Sequence, residues 1–111
     1  MNYYVYILKC ADNSYYTGVT NNIERRIAEH QNGNDIRCYT FNRRPLELVY
    51  SESFPEIDYA IRREKQIKGW GREKKEALIS GSYYKLPKLA AGDASTSQHD
   101  DAASPLLILF I

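Results

Sequence analysis

Apolar residues alternate or run together in short stretches at the start of the chain, and then recur at helical spacing. YYVYILK (residues 3–9) is rich in aromatic and β-branched residues and predicts a strand. Asp12-Asn13 supplies turn chemistry, and SYYTGVT (14–20) predicts a second strand, so the chain opens with a hairpin. From about Ile23 to Gln31 the apolar positions return every three to four residues. Asn21 with Glu24 resembles a capping box, and Asn32-Gly33-Asn34 ends this first helix. A polar, basic loop (NDIRCYTFNRR) leads through Pro45 to LELVYSES, whose alternation predicts a third strand. In SFPEIDYAIRREKQIKGW, Ser53 and Glu56 hold capping positions, Pro55 lies in the first turn and Gly69 terminates a second helix. GREKKEALISG predicts a short third helix closed by Gly81. The expected fold class is α/β, a small three-stranded antiparallel sheet flanked by about three helices. It is expected to occupy residues 1–88, with a disordered tail expected over 89–111: the small, polar stretch AAGDASTSQHDDAASP buries too little to order itself, and the apolar hexapeptide LLILFI follows it.

The helical wheels carry two anomalies. In the first helix Arg26 and His30 flank the apolar stripe of Ile23 and Ile27, whereas Arg25 and Glu29 face water. A guanidinium held against the protein body needs an acceptor, either an internal carboxylate or a phosphate. In the second helix Glu64 falls inside the stripe formed by Ile57, Ala60, Ile61 and Ile67. A carboxylate there must be paired, with Arg26 as the natural partner, or protonated, or bound to a hard cation.

Composition narrows the class. With 111 residues, 43% hydrophobic and 26% charged, the chain reads as one small globular domain, its ten tyrosines the unusual feature. No apolar run approaches the ~20 residues of a membrane-spanning helix and no leader is visible, so a cytoplasmic location is expected. Cys10 and Cys38 stand far apart without a metal-ligand cluster and read as reduced packing residues. All 15 Lys and Arg lie before residue 89, which leaves the folded part mildly basic.

VYI near the N-terminus, YTG about ten residues later, TNNIERRIAEH, and a glutamate in a later helix together resemble the GIY-YIG nuclease domain. In detail they are similar to its small stand-alone bacterial (YhbQ-like) members, through YVYILxC, YTGxTxNxxxRxxxH and EKQIKGW. The resemblance covers about residues 2–80. It implies an endonuclease hydrolysing phosphodiester bonds in DNA, with RNA not excluded, and a single Mg²⁺ (or Mn²⁺) site. Tyr6 would be the general base and Tyr16 would orient water or phosphate. Gly18 would let the strand leave closely into the helix, Arg26 would hold the phosphate, His30 would hold a phenol or assist proton transfer, and Glu64 would bind the metal. Two positions depart from the motif, Tyr4 in place of glycine and Thr17 in place of isoleucine or valine. A phenol with pKa about 10 needs nearby positive charge to serve as a base near neutrality, and Arg26 and the metal would provide it.

One register test follows. A two-residue turn at Asp12-Asn13 would set Tyr6 and Tyr16 on opposite faces of the hairpin, so a shared site requires an odd-length loop of three or five residues, or a bulge. Arg43, Arg44, Arg62, Arg63, Lys65, Lys68, Arg72, Lys74 and Lys75 are candidates for a phosphate-contacting rim, with Tyr39 and Trp70 available to stack on bases. The competing functions are a non-catalytic nucleic-acid-binding module and an adaptor that works through LLILFI.

Overall fold

The computed structural model describes residues 1–82. The tail, its apolar hexapeptide and the final residues of the expected domain lie outside them. Three strands, β1 (Tyr3–Lys9), β2 (Tyr15–Thr20) and β3 (Glu47–Phe54), form an antiparallel sheet in the order β2-β1-β3. Helix α1 (Ile23–Asn32) follows β2, a single 3₁₀ turn (Phe41–Arg43) precedes β3, and α2 (Ile57–Lys68) and α3 (Arg72–Ser80) follow it. Among the described residues no helix is long and apolar enough to cross a membrane.

The β1–β2 pairing runs from Tyr4 opposite Thr20 to Lys9 opposite Tyr15, leaving five residues, 10–14, in the connection. Cys10 donates its N–H to the Ser14 carbonyl at 2.8 Å, and Asn13 takes the left-handed conformation at φ 67°. The loop is therefore odd in length, as a shared tyrosine site requires. Tyr6 pairs with Gly18 and Leu8 with Tyr16, which places the two phenols on one face as diagonal neighbours. On the β3 side the register slips by one residue between Ile7 and Leu8.

The two-residue period of β1 divides the interior. Val5, Ile7 and Val19 pack with Ala60 and Ile67 of α2, Leu78 of α3 and Trp70 between them. Tyr6, Leu8, Cys10 and Tyr16 form a second cluster with Leu46, against which Ile27, Cys38 and Tyr39 pack. Both strand sets are fully buried.

The caps differ from expectation in detail. Asn22, not Asn21, caps α1, accepting from the Arg25 N–H at 3.0 Å, while Asn21 accepts from the Arg25 side chain instead. Ser53 lies inside β3, and Glu56 occupies the N-cap of α2 without a capping hydrogen bond. Gly33 and Gly81 end α1 and α3 in the left-handed conformation, where a Cβ is costly.

Candidate active site

The site is built on β1, β2 and α1. The Tyr6 and Tyr16 rings lie 6.4 Å apart, both buried. Gly18 sits beneath Tyr6: a Cβ there would come within 2.5 Å of the phenol oxygen and 2.6 Å of Cζ. The absence of a side chain thus creates the space for the Tyr6 ring, a tighter requirement than the strand-to-helix exit read from the sequence.

Helix α1 delivers two more groups to the same face. Arg26 and His30, 6% and 4% exposed, project from its buried stripe, and Arg25 stands in solvent as the wheel requires. The Tyr6 hydroxyl lies 2.9 Å from His30 Nε2. The imidazole also packs edge-on against Tyr16, ring centres 5.2 Å apart. On its far side His30 Nδ1 lies 2.8 Å from the Thr40 hydroxyl, which in turn donates to Cys38 Sγ at 3.4 Å. Arg26 binds Glu29 at 2.7 Å, so a carboxylate one turn along its own helix meets this guanidinium.

Electrostatics follow from burial. Desolvation, above all, pushes the Tyr6 phenol well up from its ordinary value, with the Arg26 charge pulling the other way. Tyr16 is raised by the same cause, reinforced by Tyr6 and Cys38. Burial, then the Arg26 charge, lowers His30 from 6.5 to about 3, so the imidazole is neutral. Burial works against the Arg26 charge too, but the Glu29 hydrogen bond and the phenols outweigh it and its pKa rises. The expectation that Arg26 makes Tyr6 readily ionised is therefore not met by the protein's own charges: burial outweighs the guanidinium.

Glu64 is 0% exposed and forms an ion pair with Lys68, itself 1% exposed, at 3.3 Å. The Lys68 ammonium sits over the Tyr16 ring, 5.7 Å from its centre, and the Glu64 charge is felt at Tyr6. The pair is thus part of the tyrosine site. Among the described residues no group of three or more His, Cys, Asp or Glu is placed to hold a metal.

A small open cleft lies between α1 and the following loop, lined by Arg26, Glu29, His30, Asp35, Cys38 and Thr40 among others, and so touches the α1 side of the cluster. The structure therefore brings together Tyr6, Tyr16, Gly18, Arg26, His30 and Glu64, contributed by β1, β2, α1 and α2.

The candidates for a basic rim have different surroundings. Lys68 and Lys75 are buried, and Trp70 belongs to the apolar cluster, flanked by Arg63 and Lys74. Arg63 is held by Glu52 and Gln66, and Arg72 pairs with Glu76. Arg43 is held by Asp12 and the Tyr39 carbonyl, and Arg44 by the carbonyls of Phe41 and Gln31. Tyr39 is half-buried, stacked on Tyr16 at 6.1 Å with the Arg43 guanidinium 3.8 Å from its ring centre, and so buttresses the site. Lys65 and Arg62 remain on the surface, the latter beside Tyr59. Thr40, Cys38 and Glu29 are the neighbours that sequence reasoning missed as site residues. The first two lie in an aperiodic loop, where spacing carries no signal for a partner on α1.

Known proteins resemble the described part of this chain. A UPF0213 protein of Natronomonas pharaonis is 48% identical over 79 residues, covering 71% of this chain and 92% of its own. One of Staphylococcus haemolyticus is 51% identical over 77 residues, covering 69% and 93%. The solution structure of a protein from E. faecalis superposes with a TM-score of 0.54 at 29% identity, covering 76% of this chain and 88% of that one. Residues 2–77 match the GIY-YIG catalytic domain, a span that contains every residue of the tyrosine cluster, and the chain belongs to the GIY-YIG family.

Proposed function

We propose that the protein is an endonuclease that hydrolyses phosphodiester bonds in DNA with the help of one divalent cation. The observation that carries this reading is the hydrogen bond between the Tyr6 hydroxyl and a neutral His30, beside a buried Arg26 at the end of an open cleft. Hydrolysis needs a water stripped of a proton and aimed at phosphorus, and charge to balance the phosphoryl oxygens. Arg26 supplies a fixed cation and a planar donor fork, and a phosphate entering the cleft would compete with Glu29 for it. Because both phenols are hard to ionise, a free phenolate is a costly intermediate. A relay avoids it: water gives its proton to the Tyr6 oxygen while Tyr6 passes its own to His30 Nε2. The new P–O bond forms as the bond to the departing oxygen breaks, and the imidazolium returns its proton to that oxygen or to solvent. The negative phosphate favours the transient imidazolium.

Glu64 fits the cation in a sparse form. It is one hard oxygen donor beside Tyr6, balanced by an ammonium, suited to Mg²⁺ or Mn²⁺ that keeps water and phosphate as its other ligands. When bound there, the ion supplies positive charge to the phosphate oxygens.

A second reading, a nucleic-acid-binding module without cleavage, draws on the same pair: a fully buried Glu64 already neutralised by Lys68 has less need of a metal. One assay separates the two. Supercoiled, branched and single-stranded DNA, and RNA as a further arm, are incubated with and without Mg²⁺, comparing wild type with Tyr6→Phe and Glu64→Ala. Mg²⁺-dependent nicking lost in both variants is expected; binding without cleavage on every substrate would establish the module.

A further inference from the structure

We propose that Thr40 is the positioning residue that sets the tautomer of His30, keeping Nδ1 protonated and Nε2 open to receive the Tyr6 proton. The inference rests on the proposed roles of Tyr6 and His30, but its decisive measurement is independent of cleavage.

A neutral imidazole has one N–H, so its two nitrogens must play opposite parts, and the partner of one decides the role of the other. Thr40 has a single hydroxyl proton and is 1% exposed, so bulk water is not its partner. In the arrangement we infer, that proton is directed to Cys38 Sγ, 3.4 Å away, with the thiol acting as acceptor rather than donor. The hydroxyl oxygen therefore offers a lone pair to its other neighbour, His30 Nδ1 at 2.8 Å, which fills it as an N–H donor. Nε2 is left as a bare acceptor, 2.9 Å from the Tyr6 oxygen, and the Tyr6 O–H points at it. Each hydrogen bond in the series Tyr6, His30, Thr40, Cys38 then runs in one direction, and both lone pairs of the Tyr6 oxygen remain available to Arg26 and to an attacking water. In the opposite tautomer Nε2–H would donate to Tyr6, occupying one of those lone pairs and removing the acceptor for its proton.

The position of Thr40 makes this specific. It lies just before the 3₁₀ turn, in the loop that returns the chain from α1 to β3, and its hydroxyl and Cys38 Sγ meet the same edge of the ring, Sγ at 3.8 Å from Nδ1. The thiol is a weak acceptor that water would outcompete, so the direction of the series depends on Thr40 and His30, 1% and 4% exposed, staying shielded although the cleft opens beside them. The Tyr16 ring, edge-on to the imidazole, and Tyr39 behind it help to keep it so.

The test is nitrogen NMR of the imidazole in full-length protein carrying His99→Gln, which leaves His30 as the only histidine. At neutral pH the wild-type ring should show a protonated Nδ1 and a bare Nε2. Thr40→Val should convert this to the Nε2–H form or to a mixture, and Thr40→Ser should restore it. On a substrate that is cleaved, Thr40→Val should lower kcat about tenfold or more with KM little changed, and Thr40→Ser should recover it. A wild-type ring protonated at Nε2 overturns the proposal even if no variant is made, as does a Thr40→Val spectrum identical to wild type. If the protein cleaves no nucleic acid, the spectra still decide the tautomer, so the failure of the nuclease reading and of this one are distinguishable.

Discussion

The two faces of β1 are equally buried and chemically opposite. Val5 and Ile7 point into an apolar cluster closed by α2, α3 and Trp70, whereas Tyr6 and Leu8, one residue out of phase, point into a cluster that also holds Tyr16, with His30 and Arg26 of α1 beside it. The first face stabilises by removing carbon from water, at about 1.5–3 kcal/mol for each fully buried Val, Leu or Ile. The second places hydroxyls, a guanidinium and an imidazole in the same dry interior. It is tolerated because most of these groups are given partners, Tyr6 to His30, His30 to Thr40, Arg26 to Glu29. The Tyr16 hydroxyl is the least well served, with only the soft Cys38 thiol beside it as a hydrogen-bond partner. A strand's alternation thus separates a face that holds the fold from one that holds the chemistry.

Four experiments would break or sharpen that contrast. The largest loss is expected at the Glu64–Lys68 pair, where Lys68→Met leaves a carboxylate buried without its ammonium and should cost about 3–5 kcal/mol in urea unfolding. Adding Glu64→Gln should recover much of it; a loss under 1 kcal/mol would mean that the pair behaves like an exposed one. On the apolar face, Ile7→Ala should cost about 2–5 kcal/mol, whereas Tyr6→Phe, one residue away, should cost about 1 kcal/mol yet abolish nicking. Equal stability losses would show the two faces to be one core.

Gly18→Ala tests the close approach directly. The new methyl would press on the Tyr6 ring, an overpacking cost of about 1–3 kcal/mol, and should shift the Tyr6 and His30 NMR signals while leaving those of Val5 and Ile7 nearly unchanged. A spectrum altered only around Ile7 would contradict the placement of the ring.

The smallest effect is pH dependence. With His30 lowered to about 3 in the folded state, the unfolded chain binds more protons between that value and 6.5. Stability therefore rises with pH through this window, is complete above it, and is lost progressively as pH falls. From pH 7 to pH 4 wild type should lose more stability in urea unfolding than His30→Gln, by a few kcal/mol at most; parallel losses would show the imidazole to be solvated.

Much of this was legible beforehand where local chemistry is strong. The three strands and three helices follow from alternation, helical spacing and glycine stops, and the unequal fates of Arg25 and Arg26 follow from the helix period alone. The five-residue hairpin connection was also foreseeable, since two tyrosines ten positions apart share a face only if the turn is odd. The capping residue of α1 was misplaced by one position because Asn21 and Asn22 offer the same side-chain oxygen, and only the backbone conformation selects between them. Of the basic-rim candidates, Lys68 and Lys75 lie inside. Charge along a helix does not say whether a lysine extends to solvent or turns inward, and Lys68 turns inward to pair with Glu64 one helical turn away, its ammonium 5.7 Å from the centre of the Tyr16 ring.

By itself, then, the sequence determined the elements and the inward positions of Arg26, His30 and Glu64, because periodicity and residue type are local properties, while Tyr6 and Tyr16 were named by the resemblance to the GIY-YIG motif. Tertiary structure alone decided which partners meet: Glu29 for Arg26, Lys68 for Glu64, Thr40 and Cys38 for His30. Those choices are made across loops and between elements, where hydrogen-bond distance and exclusion of water, rather than spacing along the chain, settle which groups meet.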